Sequence, residues 1–447
     1  MSRLNRPHVE LQLGPAPYQA VSIEEEVLLV MGAVEDQNRI EQELDNIQRM
    51  QSTATTLSDV VTYSPAINQA THMDLFLLES AADLAAAGSD IQAEEVIPSI
   101  EKYVGKQPNM EGFKSFVKGL WRSIMAALRA VWDAVTGFLA KVIGLIPRMR
   151  HWLTYYRYKL DRIPRTWNWD PSLKLGTELF TFSVKDKLPK NNDELLDRID
   201  LLVEYQEFYH GEFLDTAKQC YEDLTFGLYH FDESNLESSL NALCDDVQDL
   251  ATRNAPPKMT LKPVTDNRFG QGGYWALPDM PGDRTMFIRR VAIASNSSPL
   301  ERAETIQLNT PTIQDTKLFR KPREFGETMF PTPKIEELEK MITAAFSMCD
   351  YMERYHSSMR ELEARRVKMI EGTEDLVERI ESMRDESYQQ PKDTAYYRAA
   401  IRFNGFVTAA VAQPCNHLAT LSIRSVRAIL AILSRVFELN NLKRLTD

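Results

Sequence analysis

Glycine is scarce in this chain, with 18 among 447 residues. Tight turns with positive φ need glycine, so its scarcity argues against a turn-rich β architecture and for long helices. Cysteine is scarcer still. Cys220, Cys244, Cys349 and Cys415 are scattered and form no CxxC pair, which speaks against a disulfide scaffold and for reduced thiols in a cytosolic setting. The opening MSRLNRPHVELQLGPAPYQ has no apolar core of the signal-peptide kind. Walker, GxSxG and HExxH sequences are all missing. Gly270-x-Gly272-Gly273 is too short for a dinucleotide fingerprint, and no helical pattern follows it. The seven histidines are dispersed, so nothing converges for acid–base work. Cys415-Asn-His417 sets two soft ligands close together, but no second pair stands out, and zinc usually needs three or four protein ligands. A buried Cys beside a polar His is the plainer reading. His210, among Tyr205, Phe208, Tyr209 and Phe213, reads as part of an aromatic helix face packed into a core. The expectation is a protein without catalytic residues, metal or cofactor.

What the chain has is an uneven charge. Hydrophobic content of 43% and charged content of 26% are ordinary for a globular protein, and the length allows two to four units. The net charge of −12, however, sits entirely in residues 1–95, which hold 4 basic and 16 acidic side chains. The remaining 352 residues carry 48 of each sign, and within them residues 113–165 hold 11 basic and 2 acidic, a net of +9. Such asymmetry assigns separate jobs to the segments.

The pattern along the chain is mainly α. After a Pro-rich start, Ser22 and Glu25 form a capping box ahead of a helix to about Arg49. A second helix covers about Ala66–Ala87, and a short one Ala93–Tyr103. Residues 111–146 carry the strongest amphipathic signal, with apolar residues from Phe113 to Ile146 on one face and Lys114, Lys118, Arg122 and Arg129 on the other. Pro147 is expected to end that helix, and a basic aromatic run, Arg148 to Lys159, follows. Residues 191–223 and 232–254 read as two more helices. From Ala255 to Pro333 helical periodicity disappears, and strands are expected on either side of Pro281-Gly282-Asp283. The last third is helical. Leu338, Ile342, Ala345, Cys349, Met352, His356 and Met359 form a heptad seam that slips at Leu362 and resumes through Met369, Leu376, Ile380 and Met383. A final helix from Thr394 to Asn440, with a kink expected at Pro414, completes an antiparallel hairpin. The segments are thus 1–95, an acidic propeptide-like head; 96–166, basic and amphipathic; 167–254, helical; 255–333, a loop-rich β element; and 334–447, a long helical hairpin.

The apolar face of residues 113–146 has three readings: core, a membrane surface, or a surface for an acidic partner. Lys114, Lys118, Arg122 and Arg129, with Trp121 and Trp132 opposite, are what an interfacial helix needs. Arg129, Asp133 and Lys141 argue against a transmembrane span.

Several stretches resemble the internal head, or inner-body, proteins of large tailed bacteriophages. The carriers are Phe76-Leu-Leu-Glu-Ser-Ala-Ala-Asp-Leu with a following small-x-Glu site, the Lys/Trp/Phe-rich helix, Leu277-Pro-Asp-Met-Pro-Gly-Asp-Arg284, and the closing Asn416-His-Leu-Ala-Thr-Leu-Ser-Ile-Arg-Ser-Val-Arg-Ala-Ile-Leu. The turn departs from the family's pattern by an inserted Asp279-Met280 and by Asp283 in place of Asn. The resemblance implies a virion structural protein, packed in the capsid interior and present in the host cytoplasm during assembly. A maturation protease would remove the acidic head, with Ala93-Glu94-Glu95 as the expected cleavage site. Implied or expected partners are other virion proteins, packaged DNA or host membrane bound non-specifically, and a second copy through 334–447. The alternative is a membrane-active helical protein of the translocator or pore-forming kind that uses 113–146.

Overall fold

A computed structural model describes residues 110–165, 167, 169–264, 273–291, 297–307, 309, 312–315, 328–382 and 393–440. The helices expected over 22–49, 66–87 and 93–103 lie outside the described residues. The elements are α1 (Met110–Leu160), β1 (Ser172–Leu175), α2 (Thr177–Phe180), α3 (Asn192–Glu207), α4 (Phe213–Tyr229), α5 (Leu236–Thr252), β2 (Lys262–Pro263), β3 (Tyr274–Ala276), β4 (Arg284–Arg289), α6 (Pro299–Gln307), β5 (Thr312–Asp315), β6 (Thr328–Pro331), α7 (Ile335–Ser382) and α8 (Asp393–Leu439). The chain is mainly α, with long helices and a small antiparallel β element in the middle of the sequence.

The centre of the molecule is α8. From Ala399 to Phe437 it is buried on nearly every side, and it touches α1, α3, α4, α5, α6 and α7. A helix apolar all round must lie inside a large protein or a membrane; here the other helices enclose it. Cross-contacts fix their directions. Tyr355 on α7 donates to Asn416 on α8, while the Arg366 guanidinium, further along α7, and Thr408, earlier on α8, both meet Trp132. The pair α7–α8 is therefore an antiparallel hairpin. Trp132 against Thr408 and Tyr156 against Phe437 make α1 parallel to α8. Ion pairs Asp215–Arg354, Lys218–Glu361 and Glu222–Arg365 lay α4 parallel to α7. Each such exposed pair stabilises little, but the ladder has only one register.

The structure corrects two sequence expectations about these helices. Pro147 does not end α1, which continues to Leu160. Proline deprives the carbonyl four residues earlier of its donor, at a cost of about 3 kcal/mol. Pro147 lies on the exposed side, where water can solvate that carbonyl. Leu145, Ile146, Met149 and Leu153, buried on the opposite face, supply more than the cost: fully burying one such side chain gains about 1.5–3 kcal/mol. The seam of α7 also does not slip. Its buried positions run Leu338, Met341, Ala345, Met348, Met352, Tyr355, Met359, Leu362, Arg366, Met369, Thr373 and Leu376, steps of three and four throughout. The apparent break arises because Tyr355, Arg366 and Thr373 carry polar atoms and do not read as apolar. Tyr355 donates to Asn416, the Arg366 guanidinium lies 5.5 Å from the Trp132 ring centroid, and Thr373 donates to the Met369 carbonyl. His356 is only half-buried. The Ile380 side chain and Met383 lie outside the described residues.

The β element forms two antiparallel sheets, a β2-β3-β4-β5 meander and a β1-β6 pair. The first strand is expected from Phe269; the described strand begins at Tyr274, and 265–272 lie outside the described residues. The meander joins the helices through the loop before β4. Gly282 and Asp283 both have positive φ, 75° and 58°. The Asp283 carboxylate accepts from the Ser183 hydroxyl at 2.9 Å and from the Asp186 amide at 2.8 Å, and its own amide donates to the Ser183 carbonyl. Lys185 and Asp186 are left-handed as well, the centre of a two-residue turn closed by reciprocal Val184–Lys187 bonds. Asp283 thus knots two tight turns together. Asn tolerates positive φ and keeps an acceptor oxygen, so Asp283→Asn should stay within about 1 kcal/mol of the parent. Asp283→Ala leaves two donors without their acceptor and should lose about 1–3 kcal/mol. Chemical denaturation of the two variants compares them directly.

Candidate functional site

The basic helix α1 is the element that the sequence singles out, and its described residues divide sharply by face. Val131, Trp132, Val135, Phe138, Leu139, Val142, Ile146, Met149, Leu153 and Leu160 are buried. Arg129 is exposed and forms an ion pair with Glu374 at 2.7 Å. Trp132 lies in the core, 2% exposed. Its indole Nε1 donates to Thr408 at 3.3 Å, its ring meets Tyr221 edge-on at 6.1 Å, and the Arg366 guanidinium approaches to 5.5 Å. The side chains of Lys114, Lys118, Trp121 and Arg122 lie outside the described residues, as do Ala93, Glu94 and Glu95. Among the described residues one stretch, Arg129–Leu160, is long and apolar enough to cross a membrane; its apolar face is the one packed against α7 and α8.

The last turns of α1 present a different surface. Trp152, Tyr155 and Tyr158 are exposed by 45%, 38% and 47%. The Trp152 and Tyr155 rings meet edge-on at 5.6 Å, and Tyr156, packed on Phe437, completes the cluster. Lys159 lies 4.6 Å above the Tyr155 ring and Arg162 3.9 Å above that of Tyr158. Aromatic rings faced by cations are attracted through the ring quadrupole. Arg150, in contrast, is neutralised by Asp350 and Glu353. In sequence each half of the patch has an ordinary explanation, aromatic core or solvated charge; the signal available there is the basic aromatic run itself.

The interior holds a second group of functional residue types. A π-turn at Phe208–Glu212, kinked at Gly211 with φ −119° and ψ −107°, joins α3 to α4 and turns His210 inward. His210 is fully buried and stacked on Tyr355, with centroids 4.6 Å apart and planes 2° from parallel. Its Nε2 lies 3.0 Å from the Cys415 carbonyl, so Nε2–H donates and Nδ1 is left unprotonated. The Cys415 thiol donates to the Tyr209 carbonyl, and the Tyr209 hydroxyl to that of Asn254. His417 is buried too. Burial pushes the Cys415 thiol well above its usual range, and those of Cys244 and Cys349 up to about 12. None of these is a thiolate near neutral pH, and nucleophilic chemistry needs the thiolate. Among the described residues no three His, Cys, Asp or Glu side chains are grouped to hold a metal ion. The arrangement cements α3, α4, α7 and α8 to one another.

Burial also holds His210 neutral, lowering its pKa from 6.5 to about 4. The unfolded chain takes up a proton at higher pH than the folded one. Stability from this group is therefore complete above pH 6.5, falls as pH drops toward 4, and levels off below. The full effect is about 3 kcal/mol. Asp246, raised to about 6 chiefly by burial and then by Asp223 and Asp245, works the other way: its contribution is present below 3.8 and lost as pH rises through 6. The sum masks either group, so the difference between parent and His210→Gln is the measurement. The gap in urea-unfolding free energy between them should narrow as pH falls from 7 to 4; a constant gap would contradict the assignment.

No curated protein and no solved structure matches the chain. The family model for phiKZ-like phage internal head proteins matches residues 33–435, from within the acidic head through nearly all of α8. The chain belongs to the family of phiKZ-like phage internal head proteins.

Proposed function

We propose that this protein is a non-enzymatic packing component of the phage head, assembled with its acidic N-terminal segment and matured by losing it. Membership of an internal head family makes it a structural component of the virion, housed inside the capsid. The observation that carries the non-enzymatic reading is the use made of its reactive side chains. The four cysteines are buried and free of disulfides, and His210 is sealed between helices, so these groups serve as packing.

On this reading the segments differ in job. Residues 1–95 are a removable head, and 96–166 the basic helix that the head covers. Residues 167–254 and 255–333 buttress the body, and 334–447 form its hairpin and a surface for self-association. The charge boundary supports a cut at Ala93-Glu94-Glu95: removal takes the net −12 away and leaves a body with 48 charges of each sign. The maturation protease and other virion proteins are the specific partners, and packaged DNA or host membrane are non-specific ones, met through the basic helix. The membrane-active alternative would have to draw the 131–160 face out of the core, where α7 and α8 already cover it. A charge in that face is the test. Trp132→Asp should destabilise the protein by about 3–5 kcal/mol, while Arg129→Ala should change it by under about 1 kcal/mol. Unchanged thermal stability of Trp132→Asp with loss of liposome binding would favour the membrane reading.

N-terminal sequencing of the protein from mature particles checks the maturation step. A new terminus near Glu95 or Val96 is the expected result; a chain still beginning at Met1 or Ser2 would exclude it.

A further inference from the structure

We infer that, before maturation, the acidic stretch between Arg49 and Glu95 docks on the aromatic-basic face at the end of α1, formed by Trp152, Tyr155 and Tyr158 with Arg162 in the turn just after the helix. The inference rests on the proposal of a removable head and names the surface which that head covers.

Three observations carry it. The first is the composition of the face. Tyr, Trp and Arg are the residues enriched at interface cores and hot spots, and here three such rings are exposed within two turns, with cations on the faces of Tyr155 and Tyr158. The second is charge. From Pro147 to Arg165 there are six Lys or Arg and one acidic residue, Asp161. Arg150 is held by Asp350 and Glu353 on α7, while Arg157, Arg162 and Arg165 are exposed. Residues 50–101, in contrast, contain eight acidic side chains and neither Lys nor Arg. The third is reach. Trp152 lies 42 residues along α1 from Met110, about 63 Å at helical rise. Asp83 and Asp59 lie 27 and 51 residues before Met110, and 27 residues span up to about 90 Å fully extended, or about 65 Å with the helices expected over 66–87 and 93–103 in place. Residues 59–83 therefore reach the face, whereas residue 95, 15 residues before Met110, extends at most to about 50 Å.

Tethering gives the segment an effective concentration of order millimolar, which favours it over an untethered anion of equal charge. A stretch with Leu75, Phe76, Leu77 and Leu78 between Asp74 and Glu79 offers apolar side chains to the rings and carboxylates to the guanidinium groups. A second copy of the same face is excluded as occupant by like charge. Nucleic acid phosphate shares the carboxylate's attraction to Arg, so the experiment separates the two.

The experiment uses the full chain with a benzophenone side chain introduced at Tyr155, irradiated alone and with duplex DNA. Trypsin releases Met50–Lys102 as one fragment, because no Lys or Arg lies between Arg49 and Lys102. At low salt the expected result is an intramolecular cross-link to that fragment. Adding Arg157→Glu with Arg162→Glu, or raising the salt to 0.5 M, where the Debye length falls to about 4–5 Å, should reduce its yield several-fold. Mixing light and isotope-labelled chains tells a link within one chain from one between chains. Cross-links to other segments only, to a second chain only, or to DNA with none to 50–102 would each overturn the inference. The N-terminus found in mature particles is read independently. An intact terminus beside a positive cross-link removes the maturation reading and leaves the docking; a cleaved terminus with no cross-link does the reverse.

Discussion

The rest of the structure depends on burying α8. This helix is enclosed on almost every side, and the surrounding helices are oriented by what they place against it: Trp132 of α1 on Thr408, Tyr355 of α7 on Asn416, His210 on the Cys415 carbonyl. Each contact is polar and specific, set in a surround of Leu, Ile, Val and Ala. Apolar area supplies the driving force. Leaving a buried donor or acceptor unpaired costs about 1–3 kcal/mol, so these few bonds favour one arrangement among the many that bury a similar area. Gly282, at positive φ, lies against Leu421 of α8, which brings the turn held by Asp283 onto the same helix.

That construction explains how one chain can be both well packed and charge-divided. The core takes apolar residues from every long element and from β1, β4 and β6. Apart from Lys159, Arg198 and Arg366, which are buried, charge among the described residues is left to the periphery, where the α4–α7 and α1–α7 pairs set register more than they stabilise. The excess of acid is confined to 1–95, which precede α1 in the sequence; every described element that encloses α8 lies after that segment.

Much of the fold is legible in sequence because helical periodicity is strong where one face is buried. The α7–α8 hairpin follows from it directly, and the strands flanking Pro281-Gly282-Asp283 from its loss together with the turn residues. Periodicity misleads where a polar residue is buried with its partner. Tyr355, Arg366 and Thr373 look like breaks in the seam because their partners, Asn416, Trp132 and Met369, are 61, 234 and 4 residues away. It also misleads at Pro147, where a local penalty is outweighed by burial contributed from helices more than 180 residues downstream. The candidate surface shows the same limit. The periodicity of α1 shows that Trp132 belongs to an apolar face, but not that the face meets Thr408 and Arg366 rather than lipid. The exposed rings of Trp152, Tyr155 and Tyr158 become a patch only once α1 is known to continue past Pro147.

The central claim is that α8 is the enclosed support of the whole body. Native-state hydrogen exchange of the full chain tests it most directly, because amides that open only on global unfolding exchange last. The account predicts that the slowest amides lie in α8 on both sides of Pro414, together with those of α1 from Val131 to Leu153, and that they share one opening free energy. Fast or independent exchange of α8, with the slowest amides elsewhere, would contradict it.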